Sequence, residues 1–281
     1  MSQESPYLGT EGTRPYQGVS ALYARYRPKL SDAFIRLVFD RLGWTGEDRL
    51  FDLGTGPGQI ALRFAPRMAA VVGLDPEPDQ IAEARRQTVT QGVGNASFIL
   101  GSSDDLSGLA PGLGTFVAAT MGESFHWMLD RDRVLRDLSA MLDVERGAIL
   151  VISTGALLRS DERLARARRT VRQILRSFLA DVPPGPHPRG RHDSFEAILL
   201  RSPFPDVFLL QLEYDQSVEG DTEALVGAEY TISHVLRRLG SRRDAFEAEV
   251  RRQVTWLPKG EPLRERRRDA AIVGRRRPDR R

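Results

Sequence analysis

The sequence of 281 residues contains no cysteine, which excludes a disulfide scaffold and any thiolate metal site. Histidine is scarce too. The four stand at 126, 187, 192 and 234, and only His187 and His192 are close neighbours, so no bound metal is expected. No apolar run reaches the roughly 18 residues that a membrane-spanning helix needs, and no membrane partner is expected. The opening, Met1 to Thr13, is polar and acidic, which argues against a signal peptide and makes the cytoplasm the expected compartment. Lysine is almost missing: of 41 basic residues, only Lys29 and Lys259 are not arginine.

What is present suits a folded chain. Hydrophobic residues make up 41%, charged residues 28%, and net charge is only +3. That composition argues against disorder, and a chain of this length can bury roughly three quarters of its unfolded surface. It reads as one large domain, or one domain with an insertion. Charge is unevenly spread. From Arg264 to Arg281, nine arginines face only Glu265, Asp269 and Asp279, which suits either a nucleic-acid or acidic-lipid contact or a solvated terminus. No aromatic residue is interleaved there, as a single-strand stacking surface requires. Between 206 and 229 every charged residue is acidic: Asp206, Glu213, Asp215, Glu219, Asp221, Glu223 and Glu229.

Along the chain, residues 1–27 form a polar arm with Tyr16, Tyr23 and Tyr26, and Pro28 opens a helical pattern that ends near Gly43. Strands are expected at Arg49 to Leu53, Ala69 to Leu74, Ala96 to Leu100, Gly114 to Ala119 and Ala148 to Ser153. Helices fill Gly58 to Met68, Glu77 to Gln91 and Asp130 to Leu142. This alternation predicts an α/β fold with a parallel sheet covered on both faces. Beyond Ser153 the rhythm breaks. Ala156 to Leu179 reads as one long helix, Asp181 to Asp193 as a Pro/Gly/His loop, and Val207 to Tyr214 as a sixth strand. Residues 222–256 are helical in pattern, and Asp269 to Gly274 reads as an antiparallel edge strand. The expected division is a core of residues 1–155 and 207–281, with a lid of 156–206 whose loop is the least ordered part.

The strongest local signal is Asp52-Leu-Gly54-Thr55-Gly56-Pro-Gly58-Gln59, at the first strand-to-helix turn. Such a turn lets backbone approach a ligand and points amides at it. Asp52 would repel a pyrophosphate and attract an amine, and Pro57 is not asked for by a dinucleotide fingerprint. Gly73-Leu-Asp75-Pro76 closes the second strand, where Asp75 either accepts the hydroxyls of a ribose or caps the next helix. Gly101-Ser-Ser103-Asp104-Asp-Leu106 closes the third.

In that register the three segments resemble the successive motifs of class I S-adenosylmethionine-dependent methyltransferases. More narrowly the chain is similar to the small-molecule type 11 group of ubiquinone/menaquinone and trans-aconitate methyltransferase-like enzymes. The resemblance covers about residues 20–155. It implies a Rossmann-like seven-stranded sheet ordered 3-2-1-4-5-7-6, strand 7 antiparallel, with the helical lid between strands 5 and 6. It implies S-adenosyl-L-methionine as cofactor and S-adenosyl-L-homocysteine as product. Gly54, Thr55, Gly56 and Gly58 would meet its methionine part and sugar, Asp75 its ribose, and Ser103 and Asp104 its adenine. Asp52, Gln59, Pro76, Gln80, Thr120 and Met121 join this cofactor set. Tyr23-Ala-Arg-Tyr26-Arg27-Pro28 resembles the family's closing arm, which puts Tyr26 and Arg27 in the cofactor set, Arg27 facing the methionyl carboxylate and the tyrosines walling the transfer cleft or, alternatively, simply anchoring the arm.

Ala119-Thr-Met-Gly-Glu123-Ser-Phe-His126-Trp127 is similar to the stretch after strand four. Tyr23, Glu123, His126 and Trp127 are the expected substrate contacts. His126 is the candidate general base, or else an orienting or capping group. With the acidic stretch as a steering field, the expected activity is N-methylation of an amino sugar or aminoglycoside in antibiotic biosynthesis. Alternatives are O- or C-methylation of a phenolic, carboxylate or quinone-type metabolite, an RNA or protein methyltransferase, and a non-catalytic cofactor-binding protein. The expected partner is a small cationic acceptor with no nucleic acid, on a monomer or homodimer.

Overall fold

The computed structural model describes residues 18–183, 193–232 and 235–276. Tyr16, His187, His192, His234, most of the Asp181–Asp193 loop and the arginines beyond 276 lie outside the described residues.

Two helices precede the sheet, α1 (Ser20–Tyr26) and α2 (Asp32–Leu42). The Ser31 side chain starts α2 by accepting the Phe34 N–H, and Gly43 ends it in the left-handed region at φ 64°. The alternating part then runs β1 (Arg49–Leu53), α3 (Gln59–Phe64), β2 (Ala70–Asp75), α4 (Pro78–Thr90), β3 (Ala96–Leu100), α5 (Leu106–Leu113), β4 (Ala118–Gly122), α6 (Arg131–Met141) and β5 (Ala148–Ser160). After it come α7 (Glu162–Phe178), α8 (Phe195–Leu200), β6 (Asp206–Glu219), α9 (Thr222–Tyr230), α10 (Val235–Leu239), α11 (Arg243–Gln253) and β7 (Pro262–Arg275).

The sheet order is β3-β2-β1-β4-β5-β7-β6. β1 to β5 are parallel, and β7 runs antiparallel to both β5 and β6. This is the Rossmann-like sheet and strand order expected, with a helical insertion between β5 and β6. β1, β2 and β4 are buried almost throughout, as strands covered on both faces must be. One face packs on α2, α3 and α4 through Phe34, Ile60, Phe64 and Ile81. The other packs on α6 and α8 through Leu135, Leu138, Ile198 and Leu199. From β1 the chain crosses one way to β2, while β4 lies on the other side. That switch point opens a crevice at the carboxyl ends of the strands.

Two boundaries differ from the sequence reading. β4 starts at Ala118 rather than Gly114, because Phe116 makes only an isolated bridge to Leu142 and pairing with β1 begins at Leu50 with Ala118. β5 does not stop at Ser153. It bulges around Gly155 (φ 56°), where a Cβ would lie 2.4 Å from the Cβ of Pro28. It then pairs Ala156 to Ser160 with Arg268 to Glu265 of β7. The helix expected from Ala156 therefore starts at Glu162, where Asp161 caps it by accepting the Arg163 N–H.

The prolonged β5, β6 and β7 carry a third core. There α7, α9, α10 and α11 bury Val171, Leu175, Tyr230, Phe246 and Leu263 together. Within the segment expected as a lid, residues 156–160 extend the sheet, α7 joins this cap, and α8 packs under the sheet.

The acidic stretch of β6 meets β7. Asp206 pairs with Arg275 at 2.7 Å, Glu213 with Arg266 at 3.0 Å and Asp215 with Arg266 at 3.9 Å. Glu229 pairs with Arg172 at 2.9 Å, Glu223 with Arg25 at 3.5 Å, and Asp221 caps α9. The single-sign field expected from the sequence is thus largely neutralised by arginines distant in the chain.

Candidate active site

At the end of β1 the glycine turn has all three glycines at positive φ, 70° at Gly54, 54° at Gly56 and 80° at Gly58. Their surroundings differ. A Cβ on Gly54 would lie 2.4 Å from the Cβ of Ser124, and one on Gly58 would lie 2.9 Å from the Phe98 ring. At Gly56 the nearest atom would be Gln80 Oε1, 3.9 Å away. Two glycines allow close packing; the middle one faces space.

Beneath the turn, Asp52 is wholly buried and accepts the hydroxyls of Thr55 and Thr120, both at 2.6 Å. Burial pushes its carboxyl above the usual range while the two hydroxyls pull the other way. Asp75 closes β2. Its Oδ2 accepts the Gly56 N–H at 2.8 Å, and its Oδ1 accepts the Glu77 N–H at 3.0 Å. Burial raises its pKa to about 6, against those two amides. Each carboxylate oxygen still has a lone pair to offer. Beside it Gln80 Oε1 is buried without a hydrogen-bond partner among the described residues.

At the end of β3, Ser102 accepts the Asp104 N–H while Asp105 accepts the Ser102 N–H, which fixes a tight turn. The Asp104 carboxylate pairs with Arg133. After β4, Glu123 sits at φ 52°, a costly conformation for a residue with a Cβ. Its carboxylate accepts the Ser153 hydroxyl at 3.0 Å. Ser124 donates to the Leu53 carbonyl at 2.7 Å. Tyr23 comes from α1, and the Gln59 side chain holds its carbonyl at 3.1 Å. Burial raises the Tyr23 phenol.

These segments enclose an open cavity of about 1040 Å³, solvent-facing space included. Its charged lining residues are Asp75, Glu77, Asp104 and Glu123, all acidic. Such a lining favours a cationic ligand and disfavours a pyrophosphate. A hydroxylated cation such as S-adenosylmethionine fits the donor set. Gly56 leaves it room, Asp75 has lone pairs for hydroxyls, and Gln80 Oε1 lacks a donor.

Of the sequence candidates, Tyr23, Gly54, Gly56, Asp75, Pro76, Gln80, Ser103, Asp104, Glu123 and Trp127 meet at this cavity. Asp52, Thr55 and Gln59 line a smaller adjoining space. Gly58 packs on Phe98, Thr120 serves Asp52, and Met121 is wholly buried in the core. Tyr26 lies elsewhere, donating to Glu223 at 3.1 Å in a separate cleft with Gly227. The Arg27 guanidinium stacks 5.1 Å over the Tyr23 ring and donates to the Thr231 carbonyl at 3.3 Å. His126 is on the 125–127 turn, its ring 5.3 Å from that of Trp127, outside the cavity lining.

Sequence reasoning missed Glu77, Ser102, Ser124, Met128 and Leu129, which also line the cavity. Glu77 and Ser102 adjoin chosen residues and were open to the same argument. Nothing local marks Ser124, whose place depends on β1 and β4 being neighbours. Among the described residues no group of His, Cys, Asp and Glu is arranged to hold a metal ion. No described helix is long and apolar enough to cross a membrane.

Residues 50–145 match the family model described as "Methyltransferase domain". The 23S rRNA (uracil(1939)-C(5))-methyltransferase RlmD of Photobacterium angustum is 28% identical over 102 residues, 34% of this chain and 46% of that protein. An uncharacterized RNA methyltransferase of Lactiplantibacillus plantarum is 29% identical over 82 residues, 29% of this chain and 18% of that protein. The matches thus span less than half the length of these relatives. Among solved structures, a protein from Anaeromyxobacter dehalogenans assigned as a type II methyltransferase superposes with a TM-score of 0.60 at 24% identity. The superposition covers 89% of this chain and 98% of that one, and it shows a common fold.

The expectation of a small cationic acceptor and no nucleic acid is corrected here. RNA methyltransferases recur among the relatives. The acidic stretch that argued for a cationic acceptor is spent on the protein's own arginines.

Proposed function

We propose that this member of the class I S-adenosylmethionine-dependent methyltransferase superfamily transfers the methyl group of its cofactor to a base in RNA. The cofactor half rests on one observation: a single cavity joins the free space at Gly56, the Asp75 carboxylate and an all-acidic lining. The acceptor half rests on the RNA methyltransferases among the relatives.

When bound, S-adenosylmethionine supplies a methyl group activated by its sulfonium. The chain's own residues bind and orient. Asp75 holds hydroxyls, the Gly101 to Asp104 turn walls a planar ring, and Tyr23 and Trp127 exclude water from the mouth. An RNA base must leave its stack to reach such a mouth, and aromatic side chains are the usual walls for an extruded base. Glu123, held in a strained backbone beside that mouth, is suited to accept a proton or an N–H from the base. His126 stands outside the cavity lining with its ring 5.3 Å from that of Trp127, where it can steady that ring rather than take the proton. In this reading residues between 23 and 129 hold the cofactor, β6 and β7 complete the sheet beside them, and 156–206 work on the acceptor side.

Incubation with methyl-labelled cofactor and unmodified ribosomal RNA transcripts tests the proposal. Label that ribonuclease releases as a methylated nucleoside is the expected result. Transfer to small metabolites with none to RNA would overturn it.

A further inference from the structure

Between 159 and 179 seven arginines face only Asp161 and Glu162, and α7 sorts them by face. Leu164, Ala167, Val171, Ile174 and Leu175 form its buried side. Opposite, at steps of three and four residues, stand Glu162, Arg166, Arg169, Gln173 and Arg176 in one exposed row. The flanking arginines are committed to acids. Arg163 pairs with Glu261 at 2.7 Å, Arg172 with Glu229 at 2.9 Å, and Arg168 with the buried Glu265. Arg166, Arg169 and Arg176 have no acidic partner among the described residues.

The Arg166 guanidinium lies 4.4 Å over the half-buried ring of Trp256, whose N–H is used by the Gln253 carbonyl. The ring is thus held in place as a flat surface at one end of the arginine row. Three guanidinium groups in one exposed row, on a helix whose opposite face is packed, leave a surface of single sign open to a partner of opposite charge.

We propose that this face of α7, with Trp256 at its end, is a track for the phosphate backbone of the RNA substrate. The inference rests on the RNA-methylating reading above and names the surface that carries the nucleic acid. From Arg166 to Arg176 the helix rises about 15 Å, long enough to meet several consecutive phosphates of one strand. Guanidinium groups suit such oxygens by their forked donors, and an aromatic ring beside them offers a stacking surface. This track supplies affinity and register; the acidic cavity stays reserved for the cofactor and the reacting base.

The test uses the full chain, a fluorescent RNA hairpin with a single-stranded loop, and anisotropy across a salt series. The triple variant Arg166→Gln/Arg169→Gln/Arg176→Gln should bind about a hundredfold more weakly near 0.1 M salt. Its plot of log affinity against log salt should flatten by about two, at roughly 0.7 to 0.9 per lost phosphate contact. S-adenosylhomocysteine affinity and Tm should not change, because this face does not line the cavity. Arg163→Gln, which removes a committed arginine, should alter RNA affinity less than about twofold.

An unchanged slope in the triple variant, in a protein that does bind the hairpin, overturns the track and leaves RNA methylation standing. An equal loss from Arg36→Gln/Arg41→Gln, two exposed arginines of α2, also overturns it by showing that charge acts diffusely. Tighter binding to phosphatidylserine vesicles than to RNA, lost on the same three substitutions, reassigns the face to lipid. Absence of RNA binding by the unaltered protein sinks the RNA reading itself.

Discussion

The glycine-turn cavity and the cap built on β6 and β7 treat charge in opposite ways. At the cavity, Asp75 and Glu123 meet only N–H and O–H donors and no basic side chain lines the space, Asp104 at its edge being the lining acid that pairs with an arginine, Arg133. In the cap, Glu265 is buried between Arg168 and Arg267, Glu229 has Arg172, and the acids along β6 face the arginines of β7. Acids left without cations are available to a ligand, whereas acids matched to cations hold the protein together. The same side-chain chemistry thus serves binding in one region and architecture in the other, and the location of the arginines decides which.

The largest expected effect is in the cap. Glu265→Leu leaves two partly buried guanidinium groups without their acid and should cost about 2–4 kcal/mol, somewhat less than breaking a fully buried pair, read by urea unfolding. A cost below about 1 kcal/mol would break the contrast, since the pairs would then not hold the cap. At the cavity the sign of the effect changes. Asp75→Asn should weaken S-adenosylhomocysteine binding by about 1–3 kcal/mol, because hydroxyls lose a charged acceptor, while costing the cofactor-free protein no stability at pH 7, where burial already disfavours the charged carboxylate. Unaltered affinity would reduce Asp75 to a residue that only orders Gly56 and Glu77.

The pH dependence sharpens the same comparison. Burial raises Asp75 in the fold from an ordinary 3.8 to about 6, so the free protein takes up a proton there as pH falls through about 6. Cofactor affinity should therefore decline below about pH 6, by up to tenfold per unit. The contribution of Asp75 to stability should fall as pH rises from about 4 to about 6, the window in which the unfolded chain alone is ionised. For Glu265, whose pKa the neighbouring arginines lower against the opposing effect of burial, stability is present above the ordinary carboxylate range and lost on acidification. Opposite slopes in cofactor-free Asp75→Asn and Glu265→Gln difference curves are expected, and parallel slopes would contradict the assignment. Smallest of all, Glu213→Gln on the exposed β6–β7 ladder should cost no more than about 1 kcal/mol.

Much of the cavity was legible because its residues are contiguous in sequence. Gly54 to Gly58, Asp75 and Ser103 to Asp104 each sit at the end of a strand, and short apolar runs between helical segments locate those ends. The parallel alternation followed from the same signals, whereas the strand order came only from the resemblance to class I methyltransferases. Ser124 escaped, since only the pairing of β1 with β4 brings it to Gly54. The helix at Ala156 was misplaced because an apolar periodicity outweighed Asp161, a good N-cap, and because cross-strand pairing with β7 extends β5. The acidic stretch misled for a related reason. Its register with Arg266 and Arg275 depends on residues about 50 to 70 positions away in the chain, and no local pattern contains it.

The most direct test of the central claim, that the acidic cavity at the glycine turn is the S-adenosylmethionine site, is calorimetric titration with S-adenosylhomocysteine and, separately, with NAD. The expected result is saturable S-adenosylhomocysteine binding at one site, weakened in Asp75→Asn, with no heat of NAD binding. Equal or tighter NAD binding, or S-adenosylhomocysteine binding indifferent to Asp75, would contradict it.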